Sequence, residues 1–581
     1  MARPSFCSYR PFFVLPRINY LILHNLNQYS QQMSLIRTIS SGRILIFFGI
    51  LLLLSGASSC HDPVIKHRVI HNNDGTDMLS NAWFNHRPLT VSDVQAYVDL
   101  VAHTQVTTFM ICSGSDFPYY RSKYGRVFGD DLNGQLDCGC DTASLTGLKK
   151  YYRNFQALEA EGTDMITAAL SRAKEKGMEA FITYRMNDLH FADTTGHCPI
   201  AYSDFWIQHP QYWLRDTTQG WHSGFALDFS HKEVRDHKLD MITEQLEKYQ
   251  MIDGYDLDFM RFIVYFKTGE GRENAPLMTD LVQSVKAKVD SISARRGKKI
   301  LLSVRVPPTL NDCLKKGLDV REWIRLGLVD FVTIGVHWIG DPSLPIARFK
   351  KELGNSRTPV YGTIDDGTYR PREFYSHGMY RGMASSILAQ GGDGLYLFNY
   401  YFGTYNSVYH GKLHLEKGNY VCRVAMPELL NELGSLETLK NRNKIYCLSD
   451  GIKQYRIDPV SPLPLFVSPD QKSMATIFIG DNPKETIPQE CILFFRLNRS
   501  SSCKLFVNGS EVTEEKPEYV GLYDRARGLI DEDREYAFTI PASDLKQGDN
   551  QVEFISGSGN FTVKRLEIAL KYGDVKTHGY F

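Results

Sequence analysis

The densest run of acid in an otherwise apolar stretch is Asp253-Gly254-Tyr255-Asp256-Leu257-Asp258-Phe259-Met260-Arg261. Side chains on a strand alternate between its two faces, so Tyr255, Leu257 and Phe259 share one face and Asp256 and Asp258 share the other. An ionised carboxylate buried without partners is very unfavourable, and two in one strand need a reason. Two explanations stand at this point. Either Asp256 pairs with an arginine, such as Arg185 or Arg305, while Asp258 caps a loop, or both acids face a wet opening and do chemistry. A second acidic pair, Asp365-Asp366, follows the β-branched run Val360–Ile364, although Asp365-Asp366-Gly367 is also an ordinary turn sequence. Glycoside hydrolysis requires two carboxyl groups across the scissile bond, one protonating the leaving oxygen and the other acting as nucleophile or base. In that chemistry Asp258 is the general acid/base and Asp365 the second carboxylate. Asp366 is the alternative to Asp365, and Asp256 is a third candidate.

Other residues at the ends of strand-like runs would complete such a site. Alternation through Phe331–Trp338 turns Thr333, Gly335 and His337 inward and leaves His337 beside Trp338 at the end of the run. Asn72 and Asp74, Arg185, Arg261, Arg305, Asn399 and Tyr400 also fall at or just past run ends. Carboxylates, amides, an imidazole and aromatics suit a ligand with hydroxyls at its rim and apolar faces, so these are the expected substrate-binding residues. Trp83, Trp206, Trp213, Trp221 and Trp338 lie in or beside expected loops, where each could be stacking platform or core.

Those positions need a scaffold that gathers strand ends. Eight short runs predict strands at His67–Asn72, Thr107–Cys112, Ala180–Met186, Gly254–Met260, Ile300–Val306, Phe331–Trp338, Val360–Ile364 and Gly394–Asn399. Amphipathic stretches between them predict helices at Ser92–Thr104, Gly162–Lys176, Lys232–Tyr249, Leu277–Arg295, Val320–Leu328, Pro345–Leu353 and Pro371–Gln390. Eight βα units imply a (β/α)8 TIM barrel, whose sites lie at the carboxyl face of the strands. No Gly-x-Gly-x-x-Gly follows the first strand and there is no P-loop, which removes the usual support for a nucleotide site. After residue 445 the runs shorten and Asn508-Gly509 marks a hairpin, which predicts a C-terminal antiparallel β-sandwich domain. All six tryptophans precede it, so a structural role is expected for that module. The expected organisation is a leader over 1–60, a barrel over 61–440 and a β-sandwich over 445–581.

The leader has its own logic. Arg37 and Arg43 precede the apolar run Ile44–Leu54, and Ser55-Gly56-Ala57-Ser58-Ser59 leads into Cys60. That run is too short to span a bilayer, which takes roughly twenty residues, and has the form of a secretory signal. Small residues before a cysteine resemble a bacterial lipobox, with Cys60 the lipidated residue, although Ala57 stands where Leu is typical. The expected location is the bacterial cell envelope, held at a membrane by a lipid anchor. Met33 opens an ordinary signal and is the expected start. With 66 basic and 66 acidic residues there is no cationic footprint for nucleic acid. Cys138-Gly139-Cys140 is spaced wrongly for a zinc knuckle; a disulfide among Cys138, Cys140 and Cys198 and free thiols both stay open. No cofactor and no metal is expected.

Three segments together carry a resemblance: Ala226-Leu227-Asp228-Phe229-Ser230-His231-Lys232-Glu233-Val234-Arg235, then Gly254 to Arg261, then Gly394-Leu395-Tyr396-Leu397-Phe398-Asn399. Over most of residues 66–420 the chain resembles the bacterial barrel proteins grouped as glycosyl-hydrolase-like family ten. The resemblance implies an exported (β/α)8 glycosidase-type domain followed by a β-sandwich, with a carbohydrate substrate. That family commonly carries Glu where this chain has Asp256, so Asp258 is the firmer carry-over, and Asp365 matches no family motif. Two rival classes remain: a non-catalytic glycan-binding lipoprotein, and a metal-dependent barrel hydrolase. The latter would need a His-x-His on the first strand, where this chain has His71-Asn72-Asn73.

Overall fold

A computed structural model of the chain describes residues 67–79, 87–127, 130, 142–190, 203–220, 222–336, 342–365, 367–368, 373–374, 376–400, 427–449, 457–458, 460–469, 471–517 and 533–573. Eight parallel strands close into a barrel: β1 (Arg68–Asn73), β2 (Thr108–Cys112), β3 (Glu179–Arg185), β4 (Gly254–Asp258), β5 (Leu301–Val306), β6 (Phe331–Ile334), β7 (Val360–Ile364) and β8 (Gly394–Phe398). Each strand pairs with the next, and β8 returns to β1. The connecting helices are α1 (Val91–Val101), α2 (Thr142–Ala160), α3 (Met165–Glu175), α4 (Lys232–Lys248), α5 (Gly271–Arg296), α6 (Leu310–Lys315), α7 (Val320–Arg325), α8 (Ile346–Leu353) and α9 (His377–Ala389). This is the (β/α)8 TIM barrel that the alternation of runs predicts.

Aspartates just ahead of β4, β6 and β8 explain part of the register. Asp253 accepts the N–H of Ala180 at 2.8 Å, Asp330 that of Leu302 at 2.9 Å and Asp393 that of Val360 at 2.8 Å. Each ties the start of one strand to the start of its neighbour, satisfying a backbone donor that would otherwise be unpaired at the closed end of the barrel. The helices begin on local signals: Thr90 and Asp93 form a capping box at α1, and Asp164 caps α3.

Several elements differ from expectation, among them α6, a short helix that was not anticipated. Helix α2 was not anticipated, although Leu148, Tyr151, Phe155 and Leu158 recur at helical spacing and are all buried. Helix α9 begins at His377 rather than Pro371, because Glu373–Phe374 pairs with Gly367–Thr368 as a two-residue ladder. Helix α5 starts at Gly271 and carries Pro276 inside it. Its first residue lies so close to the backbone of Lys315 that an added Cβ would sit 2.0 Å from that carbonyl oxygen.

The C-terminal module comprises two antiparallel sheets. Its strands are β9 (Lys444–Ser449), β10 (Leu465–Val467), β11 (Lys472–Ile479), β12 (Glu490–Leu497), β13 (Cys503–Val507), β14 (Ser510–Val512), β15 (Arg534–Thr539), β16 (Gly548–Ser556) and β17 (Phe561–Lys571). One sheet runs β9-β17-β12-β15 with β10 also on β17; the other runs β11-β16-β13-β14. Strands β9, β10 and β14 were not anticipated. Leu493, Phe495, Val552, Phe554, Leu566 and Ile568 fill the space between the sheets. The opposite face of the first sheet, including Ile492, Phe494 and Ala569, joins the barrel's outer core. Helix α9 lies against β9 so closely that a Cβ on Gly382 would sit 2.1 Å from the Ile445 carbonyl oxygen. No helix among the described residues is long and apolar enough to cross a membrane.

Candidate active site

The barrel interior changes character along its axis. Its lower part is a plug of Ile70, Met110, Phe181, Phe331, Tyr361, Tyr396 and Phe398. Above the plug the inward positions turn polar. Strand β4 lies between β3 and β5, and the register sets Thr183, Asp256 and Ser303 at one level and Arg185, Asp258 and Arg305 at the next. The period of two read from the sequence therefore delivers both acids of β4 to the interior.

Asp256 is fully buried, but no arginine holds it. Its carboxyl accepts the Thr183 hydroxyl at 2.9 Å and the Ser303 hydroxyl at 2.6 Å. Burial pushes its pKa up to about 7, and the charge of Asp258 adds to the rise, while the two hydroxyls and Arg305 pull against it. Asp256 is thus a carboxyl whose pKa lies near neutrality.

Asp258 caps the turn after its strand, as one alternative has it, and it rather than Asp256 is the acid of β4 in contact with an arginine. One oxygen accepts the Met260 N–H at 2.8 Å, closing the turn after the strand; the other lies 3.4 Å from Arg305 Nη1. Arg305 Nη2 in turn lies 3.3 Å from Asp365 Oδ1, which arrives from the end of β7, three strands away around the ring of eight. Burial alone would lower the Arg305 pKa, but Asp258 and Asp365 reverse that and hold it raised. Both contacts exceed the roughly 2.7–2.9 Å of a committed charge-assisted hydrogen bond. Arg305 is shared between two acids rather than locked to one. Two carboxylates reaching one guanidinium stand less than about 10 Å apart, inside the span over which paired glycosidase acids operate.

The same interior holds polar groups with no hydrogen-bond partner in the protein: both amide atoms of Asn72 and the hydroxyls of Thr333 and Thr363. A buried unsatisfied group costs about 1–3 kcal/mol. Their concentration above the apolar plug marks where a ligand rich in hydroxyls would be repaid with hydrogen bonds.

The β3 side of the mouth carries a second network. Arg185 reaches Tyr119 Oη at 3.2 Å, Asp188 at 2.9 Å and Asp74 at 3.5 Å. Asp188 also takes His190 Nδ1 at 2.5 Å, and Arg261 Nη2 lies 3.1 Å from His190 Nε2. Asp188, His190 and Tyr119 were missed from the sequence. The usable signal was position, since Met186-Asn187-Asp188-Leu189-His190 directly follows β3.

The structure thus brings together Asp256, Asp258, Asp365, Arg305 and Asn72 in the interior, and Asp74, Arg185 and Arg261 along its rim. Asn399 sits at the end of β8 in the left-handed region, with φ 56°, a conformation Asn tolerates. Tyr400 departs from expectation. It is buried behind β1, edge-on to His71 and Tyr380, in the layer between strands and helices. His71 is on that outer side as well, and burial lowers its pKa to about 3. Trp206 and Trp213 stack on each other at 4.2 Å and donate their indole N–H groups to the carbonyls of Phe225 and Trp206, which makes them loop core. His337, Trp338, Asp366, Trp83, Trp221, Cys60, Cys138, Cys140 and Cys198 lie outside the described residues. Among the described residues Cys112, Cys313, Cys447, Cys491 and Cys503 are free thiols, and no three His, Cys, Asp or Glu side chains form a metal-binding group.

Comparison with known proteins gives no matching family model and no matching curated protein. Among solved structures, the chain is similar to the endo-β-1,4-mannanase from Thermotoga petrophila at 12% identity, covering 87% of this chain and 97% of that one, with a TM-score of 0.41. An α-L-fucosidase from Bacteroides thetaiotaomicron matches at 9% identity over 88% of this chain and 94% of that one, with a TM-score of 0.33. The catalytic domain of xylanase C from Talaromyces cellulolyticus matches at 10% identity over 85% and 98%, with a TM-score of 0.32. Likeness at this level does not extend to chemistry. The molecule defined by its own coordinates is a (β/α)8 barrel with an acid-rich mouth, joined to an antiparallel β-sandwich.

Proposed function

We propose that this protein is a glycoside hydrolase acting on a poly- or oligosaccharide, with Asp258 and Asp365 as the carboxyl pair across the scissile bond. The observation that carries this reading is the meeting of acids from β4 and β7 on the single guanidinium of Arg305, above a protonable Asp256. Two acids from strands on different sides of the ring meet on this one guanidinium. A substrate hydroxyl or glycosidic oxygen entering between Asp258 and Asp365 takes up hydrogen bonds that Arg305 makes only weakly at rest. Asp258 then serves as acid/base and Asp365 as nucleophile or base, while Asp256 lies two residues below on the same strand face.

The reading is tested with Asp258→Asn and a panel of plant, algal, mucin and bacterial glycans. A hydrolase loses roughly three or more orders of magnitude in rate when its acid catalyst is removed. The rival reading, a glycan-binding protein, is favoured by the charge compensation that Arg305 gives both acids. It requires that no glycan in the panel be cleaved by the native chain and that Asp258→Asn leave affinity unchanged. The leader ending at Cys60 would place either activity at the bacterial envelope, and loss of lipid labelling in Cys60→Ser tests that anchor.

A further inference from the structure

Three arginines reach the barrel mouth, and their partners differ. Arg305 faces two carboxylates, Asp258 and Asp365. Arg185 also faces two, Asp74 and Asp188. Arg261 has no direct one: among the described residues no carboxylate lies within ion-pair distance of it, its Nε has no hydrogen-bond partner, its contact is the ring of His190, and the charge of Asp188 reaches it only through space. It is nonetheless only 9% exposed. A guanidinium so far removed from water normally takes a carboxylate or stacks on a ring.

The histidine cannot supply the missing charge. Asp188 takes His190 through Nδ1, which leaves Nε2 as the atom turned toward Arg261. Arg261 can only donate, so Nε2 accepts, and the imidazole is the neutral form with its proton on Nδ1. Asp188 itself is already shared with Arg185 and the His190 backbone N–H. Asp74, Arg185, Asp188, His190 and Arg261 therefore form a chain across the loops after β1, β3 and β4. It ends on a positively charged group held in place by a neutral one. Arg261 is three residues beyond Asp258, and the chain starts from Arg185, which is in register with Asp258. The held charge thus stands on the loop that directly follows the strand of Asp258.

We propose that Arg261 is an anion-binding residue of the substrate site, and that the glycan this barrel takes is acidic, bearing a carboxylate or a sulfate on the sugar next to the scissile bond. This rests on the hydrolase reading for the location of that bond. A fork of N–H donors matches either anion, and the ligand's charge replaces the carboxylate that Arg261 lacks. Asp188 and His190 are positioning residues that hold the guanidinium in the direction of the ligand.

The test measures binding and turnover separately in the full chain. Calorimetry compares a uronic-acid oligosaccharide and a sulfated one with neutral counterparts, the carboxyl-reduced and desulfated forms of the same backbones. One charge-assisted contact predicts about tenfold or more tighter binding of the anionic member. Arg261→Gln is expected to erase that preference, with an unchanged far-ultraviolet circular dichroism spectrum as the folding control; Arg261→Lys is expected to retain part of it. Preference for the carboxylate or for the sulfate identifies the source of the anion. Equal binding of charged and neutral members, or equal weakening of both by Arg261→Gln, overturns the proposal. Preference without cleavage of any glycan overturns the hydrolase reading and leaves the anion site standing. Cleavage of neutral glycans without preference does the reverse.

Discussion

Buried arginine–carboxylate clusters occur in both halves of the molecule, and they are built differently. In the β-sandwich, Arg496 meets Glu535 from the neighbouring strand through Nε at 3.1 Å and Nη2 at 2.8 Å, and Arg565 pairs with Glu567 two residues along its own strand. Both arginines are held at close range by a carboxylate of the same sheet. At the barrel mouth Arg305 stands between Asp258 and Asp365 at 3.4 and 3.3 Å, with Asp256 below. Both clusters are fully enclosed, so burial of charge does not distinguish a site from a strut. The distinguishing feature is surplus acid and loose contact, which leave hydrogen-bonding capacity for something that arrives from outside.

The largest effect that would break this contrast is on rate. Asp258→Asn is expected to lower glycan cleavage by roughly three or more orders of magnitude with affinity retained, while Glu535→Gln in the sandwich leaves turnover intact. If both variants cleave at the native rate, the mouth is a strut like the other. Next comes stability. Removing one member of a buried pair strands the other and costs about 3–5 kcal/mol, so Arg305→Met and Arg496→Met should lower denaturation midpoints comparably. Only the first should also alter glycan affinity.

Asp256 gives an effect of similar size with a pH signature. Its folded pKa, about 7, is raised above the unfolded value. The folded state therefore binds the extra proton, and stability falls as pH rises from about 4 to about 7, by on the order of 4 kcal/mol in total. Asp256→Asn removes that slope, which urea melts at pH 4.5 and 8 would detect; an unchanged slope would mean the proton is not on Asp256. The smallest effect concerns the joint between the halves. Gly382→Ala forces a methyl toward the Ile445 carbonyl and should cost about 1–3 kcal/mol, read as a lower melting temperature with catalysis preserved.

Much of the barrel was legible because its signals are local. The inward facing of Asp256 and Asp258 follows from a period of two within one strand, and the strand starts follow from Asp253, Asp330 and Asp393. Helix α2 was legible in principle from Leu148, Tyr151, Phe155 and Leu158, which recur at helical spacing. Strand β10 is only three residues long and offers no period to read. The misplacement of Tyr400 has a different origin. Proximity to a strand end suggested the mouth, whereas the Tyr400 ring packs behind β1 against His71 and Tyr380, and no residue count reveals that direction.

What the sequence determined by itself, then, was the set of elements and the face on which each strand carries its polar residues, because steric alternation and helical period act over a few neighbouring residues. Only the closed ring decided that the acids of β4 and β7 share Arg305, that hydroxyls rather than an arginine hold Asp256, and that Arg261 is left with a neutral histidine. Those relations join residues tens to more than a hundred positions apart. Their energies depend on distance and burial in three dimensions, quantities that become defined when the barrel closes.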